Sequence, residues 1–133
     1  MSDTHRNARK IRLACIDSEA LPLFSKSPDG VTRGGYEPEA AQLVFERLGA
    51  EVEWVMVPWD DMIPSVRSGA ADAVWCGQGM TEERAALVDF THPYAVFNET
   101  LIVRADDPAR SADALAGYKI GAIANSTNMK LAE

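Results

Sequence analysis

Apolar side chains recur along residues 37–48 with the spacing of one helix face. Positions i, i+1, i+4, i+5 and i+8 of this stretch are apolar, with Pro38 near the start and Gly49 after the end, as is typical of helix boundaries. A second, shorter helix is predicted over residues 60–67, where two aspartates favour the positive end of the helix dipole. The apolar positions of the first helix are Ala40, Ala41, Val44, Phe45 and Leu48.

Short β-rich runs alternate with these helices. Strands are predicted over residues 11–16, 51–57 and 71–75, and a loop rich in Ser, Pro and Gly over residues 17–35. The order strand, helix, strand, helix, strand implies right-handed crossovers. The pattern therefore predicts an α/β fold with a mainly parallel sheet and helices on both faces.

Three further elements are predicted beyond residue 90: a strand over residues 97–104, a short helix over residues 111–116 capped by Ser111, and a strand over residues 118–124. The last strand has no following segment with which to pair. Because unpaired strand edges expose hydrogen-bonding groups, we expect self-association or domain swapping through this region.

Composition and charge narrow the classes of partner. The chain has 133 residues, of which 47% are hydrophobic and 25% charged, as in an ordinary soluble globular domain. Its net charge of −7 repels nucleic acids and anionic membranes, so no nucleic-acid partner is expected. No apolar run approaches the roughly 20 residues of a membrane helix. Residues 1–10 lack the apolar core of a signal peptide and are predicted to form a disordered tail.

Cys15 and Cys76 end two predicted strands that should be neighbours in the sheet. A disulfide and a pair of buried free thiols both fit this placement, and buried thiols are favoured. Neither cysteine has metal-ligand spacing, and neither His5 nor His92 has a partner suited to catalysis in the sequence. The sequence therefore predicts no metal, no cofactor and no catalytic residue.

The segment over residues 77–84 has the features of an anion site. Gly77 and Gly79 let the backbone approach a ligand, and Thr81 is suited to cap a short helix whose first turn carries Arg84. Amide groups at a helix start and a guanidinium fork both favour a carboxylate. The alternative is a capped surface turn in which Arg84 pairs with a neighbouring glutamate. The predicted guest is a small molecule with a carboxylate.

Five landmarks occur in one order along residues 11–133. They are Leu21-Pro22-Leu23-Phe24, then Gly35-Tyr36-Glu37-Pro38-Glu39-Ala40, then Trp59-Asp60-Asp61-Met62-Ile63-Pro64 with Ser68-Gly69, then residues 77–94, and last Tyr118-Lys119-Ile120-Gly121 leading to Asn125-Ser126-Thr127-Asn128. Together they resemble the polar amino-acid-binding proteins that feed ABC importers, which form family 3 of the extracellular solute-binding proteins. Five ordered landmarks are more specific than any one of them.

This resemblance implies one lobe of a type II periplasmic-binding-protein fold, apparently truncated. Residues 11–104 would form the first ligand-binding lobe, and residues 105–133 the hinge region and the beginning of the second lobe. The implied function is that of a non-enzymatic, substrate-binding component of an ABC amino-acid transporter, which binds a free amino acid or a similar carboxylate and acts with the transporter permease. The implied location is the periplasm, or the cell exterior with a lipid anchor. The polar start of the chain instead favours a replaced leader or a cytoplasmic protein.

Two other functions occur on the same scaffold. Dehydratases of the cyclohexadienyl and arogenate type resemble these binding proteins, and their chemistry requires an acid or base facing the ligand. A sensory or interaction module derived from the fold is the other alternative.

The resemblance also implies roles for individual residues. Arg84 would pair with the ligand α-carboxylate, assisted by the backbone N–H of Thr81. Trp59 would cover the apolar part of the ligand, and Phe24 would form a second wall. Asp17 is the candidate partner of the ligand ammonium group, in competition with Ser18 and Glu19.

The resemblance also bears on the two glycines before Thr81 and on residues 126–128. Gly77 and Gly79 stand where relatives often carry Ser or Thr, so only backbone contacts remain at these positions. Ser126, Thr127 and Asn128 match a helix start in the second lobe that meets the carboxylate from the opposite side.

Overall fold

A computed structural model describes residues 9–133, which divide into two compact units. The first unit ends at Phe90, and the second runs from Thr91 to Glu133. Most of the predicted tail lies outside the described residues, but Arg9 and Lys10 belong to the first strand. The assignment of residues 11–104 and 105–133 to two lobes stays a prediction.

Among residues 9–133, the first unit contains five strands and three α-helices, and the second unit contains one α-helix. The helices are α1 (Tyr36–Arg47), α2 (Met62–Arg67), α3 (Glu82–Ala85) and α4 (Thr127–Ala132), with short 3-10 helices at Trp59–Asp61 and Asp113–Leu115. The strands are β1 (Arg9–Ile16), β2 (Ser25–Lys26), β3 (Arg33–Gly34), β4 (Ala50–Val57) and β5 (Ala73–Val74).

Three parallel strands form the main sheet, with β1 between β4 and β5. The chain moves from β1 through α1 to β4 on one side and then returns through α2 to β5 on the other side. Because both crossovers follow the right-handed rule, α1 and α2 lie on opposite faces. Leu13, Ala14 and Cys15 have no exposed surface, although successive strand residues point to opposite faces. The predicted α/β fold with helices on both faces is confirmed.

The core of the first unit lies where the ends of β1 and β5 meet α2. Its buried members are Cys15, Phe24, Met62 and Cys76. Two tryptophans and several aliphatic side chains of the strands pack against it: Ile16, Trp54, Met56, Val57, Trp59 and Val74. This packing fixes the carboxyl ends of the parallel strands, which is the edge of such a sheet where ligands usually bind.

The strands predicted over residues 97–104 and 118–124 are absent from the second unit as the structure describes it. Val96 and Ile102 are each 92% exposed. The β-rich composition of these segments is real, but a strand exists only when a neighbouring segment completes its hydrogen-bond ladder, and composition does not report the neighbour. The predicted helix over residues 111–116 is a single 3-10 turn without a Ser111 side-chain cap.

No helix within residues 9–133 combines the length and the apolar character that crossing a membrane requires.

An ion pair fastens β1 to the loop before β5. Arg12 contacts Asp72 through two bonds, Nη2 to Oδ1 at 2.7 Å and Nε to Oδ2 at 3.2 Å, and the backbone N–H of Arg12 donates to Oδ2 at 2.8 Å. These contacts lower the pKa of Asp72 to about 2. Because this pKa is depressed in the folded state, the carboxylate stabilises the fold above the unfolded value near 4, and the effect is lost as pH falls towards 2.

We therefore expect Asp72→Asn to flatten the loss of stability between pH 4 and pH 2. In the variant, residue 72 binds no proton in either the folded or the unfolded chain, so it no longer contributes to the pH dependence of stability. Urea unfolding at several pH values measures this dependence. An equal slope for the Asp72→Asn and wild-type proteins would contradict the assignment.

Candidate functional site

The segment after β5 turns into α3 through Thr81. The backbone of Thr81 is extended, and its Oγ1 accepts a hydrogen bond from the backbone N–H of Arg84 at 3.2 Å. This is the usual side-chain cap of a helix start, so the predicted capping role is confirmed. Gly77 has a φ of 58°, a left-handed conformation that glycine adopts without strain. A Cβ at Gly77 would meet no atom within 4 Å. The backbone there borders open space.

The side chain of Arg84 is held by the loop that precedes it. Its Nη1 donates to the carbonyl oxygen of Gly79 at 2.9 Å. With the Gln78 amide oriented to complete its hydrogen bonds, the Gln78 side-chain oxygen accepts from Nη1 at 3.2 Å and from Nε at 3.1 Å. The guanidinium also lies over the ring of Trp59, with 5.8 Å from Cζ to the ring centroid. Arg84 is thus fixed in place by a carbonyl, an amide and an aromatic face.

Arg84 is partly buried, and this burial affects its pKa. Desolvation lowers the pKa of Arg84 from its usual value, and the charge of Glu83 offsets part of that effect. An arginine remains protonated at neutral pH despite such a shift. A cation that is partly withdrawn from water attracts an anion more strongly than a fully exposed one, because the effective dielectric constant is lower.

Trp59 packs against the core and contacts Arg84, and its place over the ligand stays a prediction. It follows β4 at the first position of a 3-10 helix, where it is half-buried and packs against the core. The same ring carries the guanidinium of Arg84. An aromatic that is anchored by core packing keeps its orientation at little entropic cost, so Trp59 is a rigid platform beside Arg84.

Asp17 follows β1 at the same edge of the sheet. Its backbone N–H donates to the carbonyl oxygen of Val57 at 3.2 Å, which ties it to the end of β4. Its carboxylate forms an ion pair with Lys26, and the hydrogen bond and charge of Lys26 lower the pKa of Asp17. A protein cation therefore occupies the place predicted for the ligand ammonium group. The ligand role of Asp17 stays a prediction.

Phe24 lies in the core and is only 5% exposed. Its ring faces the guanidinium of Arg33, with 5.7 Å from Cζ to the ring centroid. The segment before it packs on the start of α1, where the backbone N–H groups of Tyr36 and Glu37 donate to the carbonyl oxygens of Pro22 and Leu23. The side chain of Phe24 packs into the core of the first unit. Its role as a cleft wall stays a prediction.

Ser126, Thr127 and Asn128 begin α4 in the second unit. Ser126 caps the helix, since its Oγ accepts from the backbone N–H of Met129 at 3.2 Å. Thr127 Oγ1 donates to Glu99 Oε1 at 3.2 Å. The predicted helix start is confirmed, and the predicted contact of these three residues with a ligand is not tested by it.

The structure adds Gln78 and Arg33 to the residues that shape this region. Gln78 lies between Gly77 and Gly79, inside the segment predicted to bind an anion. This position in the sequence could have indicated that it contacts Arg84. Arg33 lies in a polar loop without any pattern around it. Only the fold reveals that its side chain is buried against β1 and Phe24.

The sequence matches the family model of the bacterial extracellular solute-binding proteins, family 3, over residues 13–130. It is 32% identical over 88 residues to a probable histidine-binding protein of Campylobacter jejuni, an alignment that covers 65% of this chain and 34% of that protein. It is 31% identical over 113 residues to an L-arginine-binding protein of Pseudomonas aeruginosa, covering 81% of this chain and 42% of the relative.

A similar solved structure is that of an ancestral amino acid-binding protein described as a precursor of cyclohexadienyl dehydratase. It superposes with a TM-score of 0.60 at 31% identity, over 67% of this chain and 39% of that chain. The chain thus spans less than half the length of these similar proteins. The family match over residues 13–130 includes the segment from β5 through α3.

Proposed function

Because the chain belongs to family 3 of the bacterial extracellular solute-binding proteins, we propose that it binds a free amino acid or a similar small carboxylate through Arg84. The observation that carries the proposal is the placement of this arginine. It stands at the carboxyl end of a parallel sheet, held by Gly79 and Gln78 over the face of Trp59. Ligands of open α/β sheets bind at this edge.

Each group has a distinct role in the proposed complex. The planar guanidinium of Arg84 pairs with the α-carboxylate, a geometry in which two parallel hydrogen bonds form. Thr81 fixes the backbone of Arg84 and supplies its own N–H, and Gly77 and Gly79 leave room for the ligand beside the backbone. Trp59 covers the apolar part of the ligand. Asp17 binds the ammonium group of the ligand after its ion pair with Lys26 breaks.

In the second unit, Ser126, Thr127 and Asn128 supply a further set of hydrogen-bond donors at the start of α4. As the resemblance implies, these residues are proposed to bind ligand as well. In the whole protein, the proposed role is that of the substrate-binding component of an ABC amino-acid importer, located outside the cytoplasmic membrane and acting with the importer permease.

A dehydratase is the second candidate, because one similar structure is described as a precursor of cyclohexadienyl dehydratase. The family model that matches the chain describes solute-binding proteins, and the similar proteins of Campylobacter jejuni and Pseudomonas aeruginosa are named as amino-acid-binding proteins. Dehydration would also require a general acid or base that faces the ligand. Binding without turnover is therefore the better-supported function.

Titration calorimetry with the common amino acids, at concentrations up to the millimolar range, tests the proposal. We expect at least one amino acid to bind, and its α-amide, which lacks the carboxylate, to bind at least about tenfold more weakly because the charged hydrogen bonds to Arg84 are lost. The absence of binding by every amino acid, or equal affinities for acid and amide, would contradict it. Turnover of prephenate or arogenate would favour the dehydratase.

A further inference from the structure

Two buried thiols lie side by side where β1 ends and the chain leaves β5. The Sγ atoms of Cys15 and Cys76 are 3.6 Å apart, and both cysteines are free. Cys15 has no exposed surface and Cys76 is 5% exposed. The backbone N–H of Ile16 donates to Cys76 Sγ at 3.4 Å. The prediction of buried free thiols is confirmed, and the two sulfur atoms are in van der Waals contact.

A buried guanidinium completes this cluster. Arg33 is 6% exposed, and its Nη2 lies 3.8 Å from Cys15 Sγ. Its other hydrogen bonds are to the backbone carbonyl oxygens of Ile16, Ser18 and Ser25, and its Nε has no hydrogen-bond partner. Its guanidinium also faces the ring of Phe24. Within residues 9–133, none of the ion pairs includes Arg33.

A buried charge is stable only when a group of opposite charge or a full set of hydrogen bonds compensates it. In direct contact with Arg33, the group that can become an anion is Cys15. The carboxylate of Asp17 lies farther away, but the charge of Arg33 also contributes to lowering the pKa of Asp17. The hydrogen bond from Cys76 and the charge of Arg33 lower the pKa of Cys15, whereas the thiolate of Cys15 and burial raise the pKa of Cys76. The two thiols are thus made unequal by their surroundings.

We propose that Cys15 and Cys76 are a redox-active pair, in which Cys15 is the nucleophilic thiolate, Cys76 is the resolving thiol, and a hydroperoxide closes them into a disulfide between β1 and the segment after β5. Their burial restricts the oxidant to a small molecule. Hydrogen peroxide, which is close to water in size, is such a molecule, whereas a tripeptide disulfide is too large to reach thiols that are at most 5% exposed.

The chemistry balances in two steps. The Cys15 thiolate attacks one oxygen of the peroxide, a sulfur–oxygen bond forms as the oxygen–oxygen bond breaks, and the departing hydroxide takes the proton that Cys15 released, leaving water and a sulfenic acid. Cys76 then attacks the sulfenic sulfur, and its proton leaves with the hydroxyl group as a second water. Two thiols are oxidised and one peroxide is reduced.

The geometry requires only a small movement for this bond. A disulfide needs about 2.05 Å between its sulfur atoms, so the thiols must approach by about 1.5 Å. The strands that carry them are already neighbours, with Ala14 paired to Val74 and the backbone N–H of Trp75 donating to Ala14. Because Cys76 directly precedes Gly77, the bond also ties β1 to the proposed binding segment, a consequence that rests on the proposed function.

Peroxide treatment of the reduced full chain tests the proposal. One equivalent should lower the intact mass by about 2 Da, remove both titratable thiols and yield one cross-linked peptide that contains Cys15 and Cys76. Cys76→Ser should stop at a sulfenic acid on Cys15 that dimedone traps, whereas Cys15→Ser should react at least about tenfold more slowly, because it keeps only the protonated thiol. This readout involves no ligand, so its failure is distinct from failure of the proposed binding.

The role of Arg33 is tested by its charge. Arg33→Met should slow oxidation at neutral pH by about tenfold, and Arg33→Lys should restore most of the rate, because the lysine keeps a cation beside Cys15. Circular dichroism establishes that the variants are folded, and the pH dependence of the wild-type rate gives a second measure. Two intact thiols after treatment, equal reactivity of the two single-cysteine variants, or a cross-link between two chains would each overturn the proposal.

Discussion

Gly35→Ala is expected to destabilise the first unit by at least about 3 kcal/mol, which is a large part of the 5–15 kcal/mol that holds an ordinary domain together. Gly35 has a φ of 99°, a conformation that side chains rarely adopt. A Cβ there would stand 2.8 Å from the carbonyl oxygen of Leu23, 2.9 Å from that of Pro22 and 3.0 Å from the Cα of Phe24. Backbone atoms cannot move aside as a flexible side chain does.

Urea unfolding followed by tryptophan fluorescence measures this effect. All three tryptophans, Trp54, Trp59 and Trp75, lie in the first unit, so the signal reports on that unit. Gly30→Ala is the matched control, because Gly30 has a positive φ of 71° but a Cβ there would meet nothing within 4 Å. We expect a loss of about 1 kcal/mol for the control. Similar losses for both variants would show that close packing at Gly35 is unimportant.

The close approach of residues 22–24 to Gly35 gives a physical reason for the glycine at the start of the Gly35-Tyr36-Glu37 landmark. The chain before Phe24 lies directly on the start of α1, and its carbonyl oxygens at Pro22 and Leu23 accept from the helix N–H groups of Tyr36 and Glu37 at 3.1 and 3.0 Å. These are among the N–H groups that no residue of the helix can satisfy. A side chain at position 35 would push this segment away and leave those groups unpaired.

Sequence reasoning was sufficient where a local pattern carries the information. The period of residues 37–48 predicted a helix and α1 forms there, although of its five apolar positions only Ala41 is buried, and Val44 and Leu48 are 42% and 70% exposed. Thr81 caps α3 through contacts within four residues. The alternation of strands and helices then leaves few topologies, because crossovers are right-handed. For these reasons the α/β fold, the parallel order of the three main strands and the helix that carries Arg84 were predictable.

Sequence reasoning failed where the cause lies far along the chain. The strands predicted over residues 97–104 and 118–124 required partners that the local pattern does not specify. Arg33 was passed over because its neighbours, Cys15 and Phe24, are brought to it only by folding. Trp59 is an intermediate case. The resemblance implies that it covers the ligand, which stays a prediction, whereas the structure shows that its ring packs against the core and carries the guanidinium of Arg84.

Arg84→Ala is expected to weaken binding of the preferred amino acid by at least about 30-fold, which corresponds to about 2 kcal/mol. The reason is that a carboxylate withdrawn from water loses its paired cation and both hydrogen bonds of the guanidinium fork. The fold should persist, because the Thr81 cap accepts from the backbone N–H of Arg84, which alanine retains. Arg84→Lys should give an intermediate affinity, since the charge remains but the fork is lost.

Titration calorimetry on the three proteins measures the difference, and Arg47→Ala, at the exposed last turn of α1, is the control that removes one positive charge elsewhere. If Arg84 acts only through the long-range field of the protein, Arg47→Ala and Arg84→Ala should weaken binding equally, and raising the salt concentration should abolish both effects. If Arg84 pairs directly with the carboxylate, the weaker binding of Arg84→Ala should persist at high salt concentration, and the Arg47→Ala control should bind as the wild-type protein does. An Arg84→Ala protein that is folded and binds with unchanged affinity would place the carboxylate elsewhere on this edge of the sheet.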